Sequence, residues 1–122
     1  MVGLSGDQKK SLHVLAYMMF RMGQEERARR IYAALVSLAP EDRPDRTALT
    51  GLAAIAIGRG DGAGALEHLR AAMEGAALSS RRAALLLMKA QALWLEGRVA
   101  EAQAARDEFL FLSDRSARGN DA

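Results

Sequence analysis

The side chains that bind metals or move protons near neutral pH are scarce in this chain: two histidines, His13 and His68, and no cysteine. A zinc site needs three or four ligands at close spacing, and neither histidine has a second histidine or a paired carboxylate beside it at ligand spacing. The absent cysteines also remove thiolate nucleophiles and disulfides, and they suit a reducing compartment. The run Gly58-Arg59-Gly60-Asp61-Gly62-Ala63-Gly64 has the glycine content of a phosphate cradle. It lacks the preceding strand and the following Gly-Lys-Ser/Thr that such a cradle requires, so it reads as a turn. No Ser/His/Asp grouping or isolated acidic pair stands out. We therefore expect no enzyme, no cofactor and no metal. The remaining chemistry is that of contact, carried by Tyr17, Phe20 and Trp94 and by Met18, Met19, Met22 and Met88. Such side chains anchor or adapt protein interfaces when exposed, and fill cores when buried.

The elements that must position these residues follow from a repeat. Gly23, Gly60 and Gly97 stand 37 residues apart, twice over, and each is followed five residues later by an alanine: Ala28, Ala65 and Ala102. Glycine ends a helix because it takes the left-handed conformation that closes off the last carbonyls. A small residue early in the next helix lets two antiparallel helices approach. Apolar helical segments lie on both sides of each glycine, so each unit is a helix–turn–helix. The apolar half of the composition leans on Ala and Leu, which favour helix, and only two prolines, which oppose it, are present. Helices are expected near 8–22, 25–38, 46–58, 63–75, 81–96 and 99–113, with Asp7 and Ser79 as N-caps.

These residues resemble the tetratricopeptide (TPR) family. Its signature positions are matched by Leu12, Leu15, Ala16, Met19, Gly23, Ala28, Tyr32 and Pro40 in the first unit. Leu49, Leu52, Ala53, Ala56, Gly60, Ala65, Leu69 and Ala72 match them in the second, and Leu86, Ala90, Leu93, Gly97, Ala102 and Phe109 in the third. The period is 37 rather than the family's 34, which places extra residues between units at Arg43-Pro44-Asp45 and Ser80-Arg81-Arg82. Lys89 and Arg106 stand where the family usually has apolar or aromatic residues. The resemblance implies an all-α fold of three repeats (9–42, 46–79 and 83–114) forming a short right-handed solenoid with a concave groove. A single domain at 8–113 then lies between a flexible head, 1–7, and a disordered tail, 115–122.

The family binds ligands on its concave face. Carried over residue by residue, the lining becomes His13, Tyr17 and Phe20, then Thr50, Ala54 and Ile57, then Leu87, Gln91 and Trp94. This set is apolar and aromatic, and it lacks the Lys, Asn and Arg clamp with which TPR co-chaperones grip a C-terminal carboxylate. An apolar groove suits an amphipathic helix or an extended chain with side-chain anchors. The first helix, apolar nearly all round from Leu12 to Phe20, has burial in a core as its competing reading. Gly51 and Ala54 are expected to leave space at the groove's centre. The glycines of the middle unit should weaken it, each costing about 1 kcal/mol inside a helix. The ending Phe109-Leu110-Phe111-Leu112 lacks the polar cap a solenoid normally carries, which makes Phe109 and Phe111 a second candidate interface.

Small three-repeat TPR proteins with apolar grooves resemble the class II-type chaperones of bacterial type III secretion systems. The length, the Met/Leu-rich first helix and the ending Phe109-Leu110-Phe111-Leu112-Ser113-Asp114-Arg115 look most like the SctY (YscY) family. That likeness implies a chaperone of the bacterial cytoplasm that binds a secreted client, SctX-like, as a heterodimer or larger complex that includes the export-gate protein, and that forms a homodimer without its client. The alternatives are a translocator or needle-subunit chaperone of the same apparatus, and a self-associating TPR adaptor with no role in secretion. Nucleic acid is not an expected partner, because 17 basic and 15 acidic groups leave a net charge of only +2. Arg21 to Arg30 interleaves both signs and reads as a solvated helix face. Membrane insertion is not expected either, because the longest apolar run is about half the roughly 20 residues a span needs.

Overall fold

The computed structural model describes residues 4–74 and 80–120. They form six helices and, among the described residues, no strand: α1 (Gly6–Arg21), α2 (Glu25–Leu38), α3 (Arg46–Gly58), α4 (Gly62–Met73), α5 (Ser80–Leu95) and α6 (Val99–Asn120). Three turns of identical length join α1 to α2, α3 to α4 and α5 to α6. Gly23, Gly60 and Gly97 sit in them with φ of 81°, 77° and 73°.

The hydrogen bonds of these turns explain the glycine-to-alanine spacing. Each glycine N–H donates back into the preceding helix, to the carbonyls of Phe20, Ile57 and Trp94 at 3.1, 3.0 and 2.9 Å. The next residue, Gln24, Asp61 or Arg98, donates its own N–H to Met19, Ala56 or Leu93 at 2.8, 2.8 or 2.9 Å. This pair of bonds is the Schellman closure of a helix end. The carbonyls of the same Gln24, Asp61 and Arg98 then accept from the N–H groups of Ala28, Ala65 and Ala102. One residue thus closes one helix and opens the next, and the alanine is the first to bond back to it. Ala28, Ala65 and Ala102 are buried where the paired helices meet.

Side-chain caps begin other helices. Ser5 and Gln8 form a reciprocal capping box on α1, at 3.1 Å from the Gln8 N–H to Ser5 Oγ and 2.8 Å from the Ser5 N–H to Gln8 Oε1. Asp45 caps α3 through the Ala48 N–H, and Asp61 caps α4 through the Gly64 N–H. Helices pack on their chain neighbours, and α3 also touches α1 and α5. The core is therefore deepest at α3, where Ala48, Leu49, Leu52, Ala53, Ile55 and Ala56 are all buried. In α1 only Ala16 is buried.

Two seams join successive helix pairs. In the α2/α3 seam the Tyr32 ring lies against Gly51, and Arg59 reaches Glu25 and Glu26 at 3.4 and 3.3 Å. In the α4/α5 seam Leu69 and Ala72 share a cluster with Leu85 and Ala92, while Gly62 abuts the Ala92 carbonyl. Both seams are antiparallel, the end of one helix meeting the start of the other.

Several expectations are corrected. The N-cap of α1 is Ser5, not Asp7: Asp7 lies inside the first turn, where its charge suits the helix dipole. Helix α1 begins at Gly6 rather than near 8, and Leu4 packs on the core cluster shared by α1, α2 and α3. Helix α6 runs to Asn120 instead of ending at 113, because residues 113–118 hold neither Pro nor Gly, and Ala117 and Arg118 are good helix formers. Ser80-Arg81-Arg82 belongs to α5 rather than to a linker. The expected cap Ser79 and the expected end of α4 at 75 lie outside the described residues. Among the described residues no helix is long and apolar enough to cross a membrane.

Candidate functional site

The nine residues carried over as a groove lining fall into three places. Tyr17 and Phe20 of α1, with Thr50 and Ala54 of α3, line one groove of about 350 Å³ that Met88 and Leu85 of α5 complete. Ile57 of α3, with Leu87, Gln91 and Trp94 of α5, lines a second of about 460 Å³, bounded by Ala102, Gln103 and Arg106 of α6. His13 enters neither. Its Nε2 lies 3.0 Å from Asp45 Oδ2, and the other oxygen of Asp45 holds the Ala48 N–H at the start of α3. This histidine ties α1 to the N-terminus of α3, which is a structural task.

The two grooves lie on the side where α1, α3 and α5 meet. Their exposure comes from helix period: Tyr17 is the neighbour of buried Ala16, and Trp94 that of buried Leu93. Turning about 100° per residue carries the next side chain off the buried face. Trp94 is 65% exposed, an unusual setting for a side chain with so much apolar area, and Tyr17 and Leu87 are exposed as well.

The first groove has one polar end. Thr50 spends its hydroxyl on the Arg46 carbonyl at 2.7 Å, so it is committed to its own helix. Arg46 donates through Nη2 to the Glu74 carbonyl at 2.8 Å, while its Nε is buried without a hydrogen-bond partner. The groove thus offers an apolar floor and a single cationic side chain at its rim. Tyr32 sits beneath, and burial pushes its hydroxyl pKa above the ordinary value, with Tyr17 adding to the rise.

Arg46, Tyr32 and Met88 were not among the expected lining residues. The repeat register holds the one available signal for Met88, which stands 37 positions after Gly51 on the same face. Gly51 itself does not leave space at the groove's centre. A Cβ there would lie 2.6 Å from the Tyr32 ring, so the missing side chain is a socket already filled by tyrosine.

Elsewhere, Val14, Leu15 and Met18 of α1 and Met22 at its C-terminal cap are exposed. Met19 and Met88 are half-buried against core clusters. Lys89 lines an outer groove of about 550 Å³ with Arg70, Arg82, Arg98, Glu74 and Glu101. Of the second candidate interface, Phe111 is exposed and Phe109 half-buried. Among the described residues no group of three or more His, Asp or Glu side chains gathers in metal-binding range. Comparison with protein-family models and with curated proteins returns no match to this chain.

Proposed function

We propose that the chain is a three-unit TPR-type solenoid that binds an apolar, helical segment of a client protein along the face shared by α1, α3 and α5. The observation that carries this reading is the pair of adjacent apolar grooves with Tyr17, Leu87 and Trp94 standing exposed at them. Exposed aromatics beside small-residue walls are the anatomy of a binding surface, in which a few anchors supply most of the energy. The identical turns at a 37-residue spacing support the repeat. The resemblance to the SctY (YscY) chaperones supplies the biological setting: a bacterial cytoplasmic chaperone of a type III secretion system, holding a small SctX-like export component. The role is that of a binding module and not of an enzyme.

The test begins with co-expression of the chain with the product of each adjacent open reading frame, followed by pull-down. For the client so found, Trp94→Ala should weaken binding about 30-fold, roughly 2 kcal/mol, as for a central anchor. Tyr17→Ala should also weaken a client that spans both grooves. Arg30→Ala, on a side chain 73% exposed at α2, should change little. Affinity should respond weakly to salt, since the grooves hold little charge. Tolerance of Trp94→Ala together with loss of binding at high salt would overturn the reading, because contact would then lie on the charged outer side.

A further inference from the structure

The two internal seams share one register, and that register extends to both ends of the chain. Moving the α3 side of the first seam back by 37 residues takes Ala48, Gly51, Leu52 and Ile55 onto Ser11, Val14, Leu15 and Met18. Moving it forward gives Leu85, Met88, Lys89 and Ala92, of which Leu85 and Ala92 are buried against α4 and Met88 packs there too. The α1 equivalents are all exposed. Together with Lys10 they line an open apolar trough of about 420 Å³ along α1.

The opposite half of the seam recurs at the other end. Tyr32 and Val36 of α2 correspond to Leu69 and Met73 of α4, which pack against α5, and then to Arg106 and Leu110 of α6. Leu110 is 53% exposed. The ion pairs of the first seam sharpen the correspondence. Arg59 meets Glu25 at 3.4 Å; one repeat before Arg59 stands Met22, and two repeats after Glu25 stands Val99. Both are exposed, Met22 at 68%. Where the internal seam carries opposite charges, the ends of α1 and α6 that face each other in this register carry an apolar pair.

We infer that α6 of one copy seats on α1 of a second copy, head to tail, rebuilding between chains the seam that the fold closes twice within one. In the antiparallel register of α2 on α3, Met22 meets Val99, Met18 meets Ala102, Val14 meets the stem of Arg106, and Leu110 covers Ser11. The occupant is a second copy because the two unpartnered faces are the complementary halves of one established interface. Each copy offers two different faces, so the contact is heterologous and propagates. Ala102 and Arg106 also bound the second groove, whereas Met18 and Leu110, the positions substituted below, line neither groove.

The test is sedimentation velocity of the full chain over rising concentration, with exposed positions substituted to keep the fold intact. The wild type should grow beyond a dimer into an open series. Met18→Glu and Leu110→Glu should each be monomeric alone, since each spoils one end. Mixed at equal amounts they should form a dimer and nothing larger, because one keeps its α6 face and the other its α1 face. The absence of native cysteine allows a second readout: Met22→Cys mixed with Val99→Cys should give an oxidised cross-linked dimer faster than either alone. Growth of the wild type that stops at a dimer, dissociation by Met18→Glu but not by Leu110→Glu, or no recovery on mixing would each overturn the inference. So would a wild type that stays monomeric throughout, which would leave these faces to a different protein.

Discussion

The α2/α3 seam and the α4/α5 seam hold equivalent positions and are closed by different contacts. At the first, a tyrosine ring fills the gap above Gly51, and Arg59 clasps two carboxylates at the rim. At the second, backbone meets backbone. A Cβ on Gly62 would lie 2.6 Å from the Ala92 carbonyl oxygen, 2.9 Å from Glu96 Cγ and 3.0 Å from Leu95 Cβ. Register sets where helices meet, whereas the residues at the meeting point set whether a side chain or the main chain limits the approach. A side chain can rotate or be replaced; a carbonyl held in a helix cannot move without its helix.

The sharpest way to break this comparison is to add one methyl group to each seam. Gly62→Ala should cost about 2–3 kcal/mol, the upper part of the range for overpacking, because α4 and α5 must separate. Gly51→Ala should cost less, about 1–2 kcal/mol, because the Tyr32 ring can shift. The two differ in rescue. Adding Tyr32→Leu should recover part of the Gly51→Ala loss, giving a non-additive pair in urea unfolding. No side-chain replacement should recover Gly62→Ala. Equal losses, or equal failure of rescue, would erase the distinction between the seams.

A third glycine serves as the internal control. Gly58 ends α3 with a normal backbone, and a Cβ there would meet nothing nearer than Glu25 Oε1 at 3.9 Å. Gly58→Ala should therefore stabilise the chain by about 0.5–1 kcal/mol through the entropy of the unfolded state, read as a rise in melting temperature. Three helical glycines with three different predicted outcomes separate close packing from propensity.

These glycines also mark the limit of what could be read from the residues alone. The turns at Gly23, Gly60 and Gly97 were legible because the left-handed conformation is a local demand of the backbone, visible in residue type and spacing. The six helices were legible for the same reason. Gly51 and Gly62 carry no such local signal, since what forbids a side chain there is a tyrosine 19 residues away or a carbonyl 30 residues away. Propensity alone counts them as weaknesses. His13 was placed on the groove by analogy of position, yet a carboxylate on another helix draws it aside. The expected lining stripe likewise divides into two grooves, because how far α5 stands from α1 depends on packing across α3 and not on any one helix's pattern.

The smallest expected effect concerns the charged rim of the first seam. Glu26 accepts hydrogen bonds from Arg29 at 2.6 and 3.0 Å and from Arg59 at 3.3 Å, which hold its pKa near 2 rather than the ordinary 4.5. A carboxylate whose pKa is lowered by folding stabilises the fold at pH above its unfolded value, and that contribution fades as pH falls from about 4.5 toward 2. Glu26→Gln should thus lower stability slightly at pH 7, with the difference from wild type shrinking through that window. Because the group is exposed, about 1 M salt should shrink it too. Arg29 lies on the same helix as Glu26 and makes the larger contribution, so most of the effect belongs to α2 and only the Arg59 share belongs to the seam. Arg59→Gln should therefore reproduce the smaller part of the Glu26→Gln loss, and Arg29→Gln the larger. The second seam places Gly62 and Glu96 at the corresponding positions and has no ion pair there to titrate. If urea unfolding of wild type and Glu26→Gln runs in parallel from pH 7 to pH 2, the rim contributes nothing to the first seam. The two seams would then differ in packing alone.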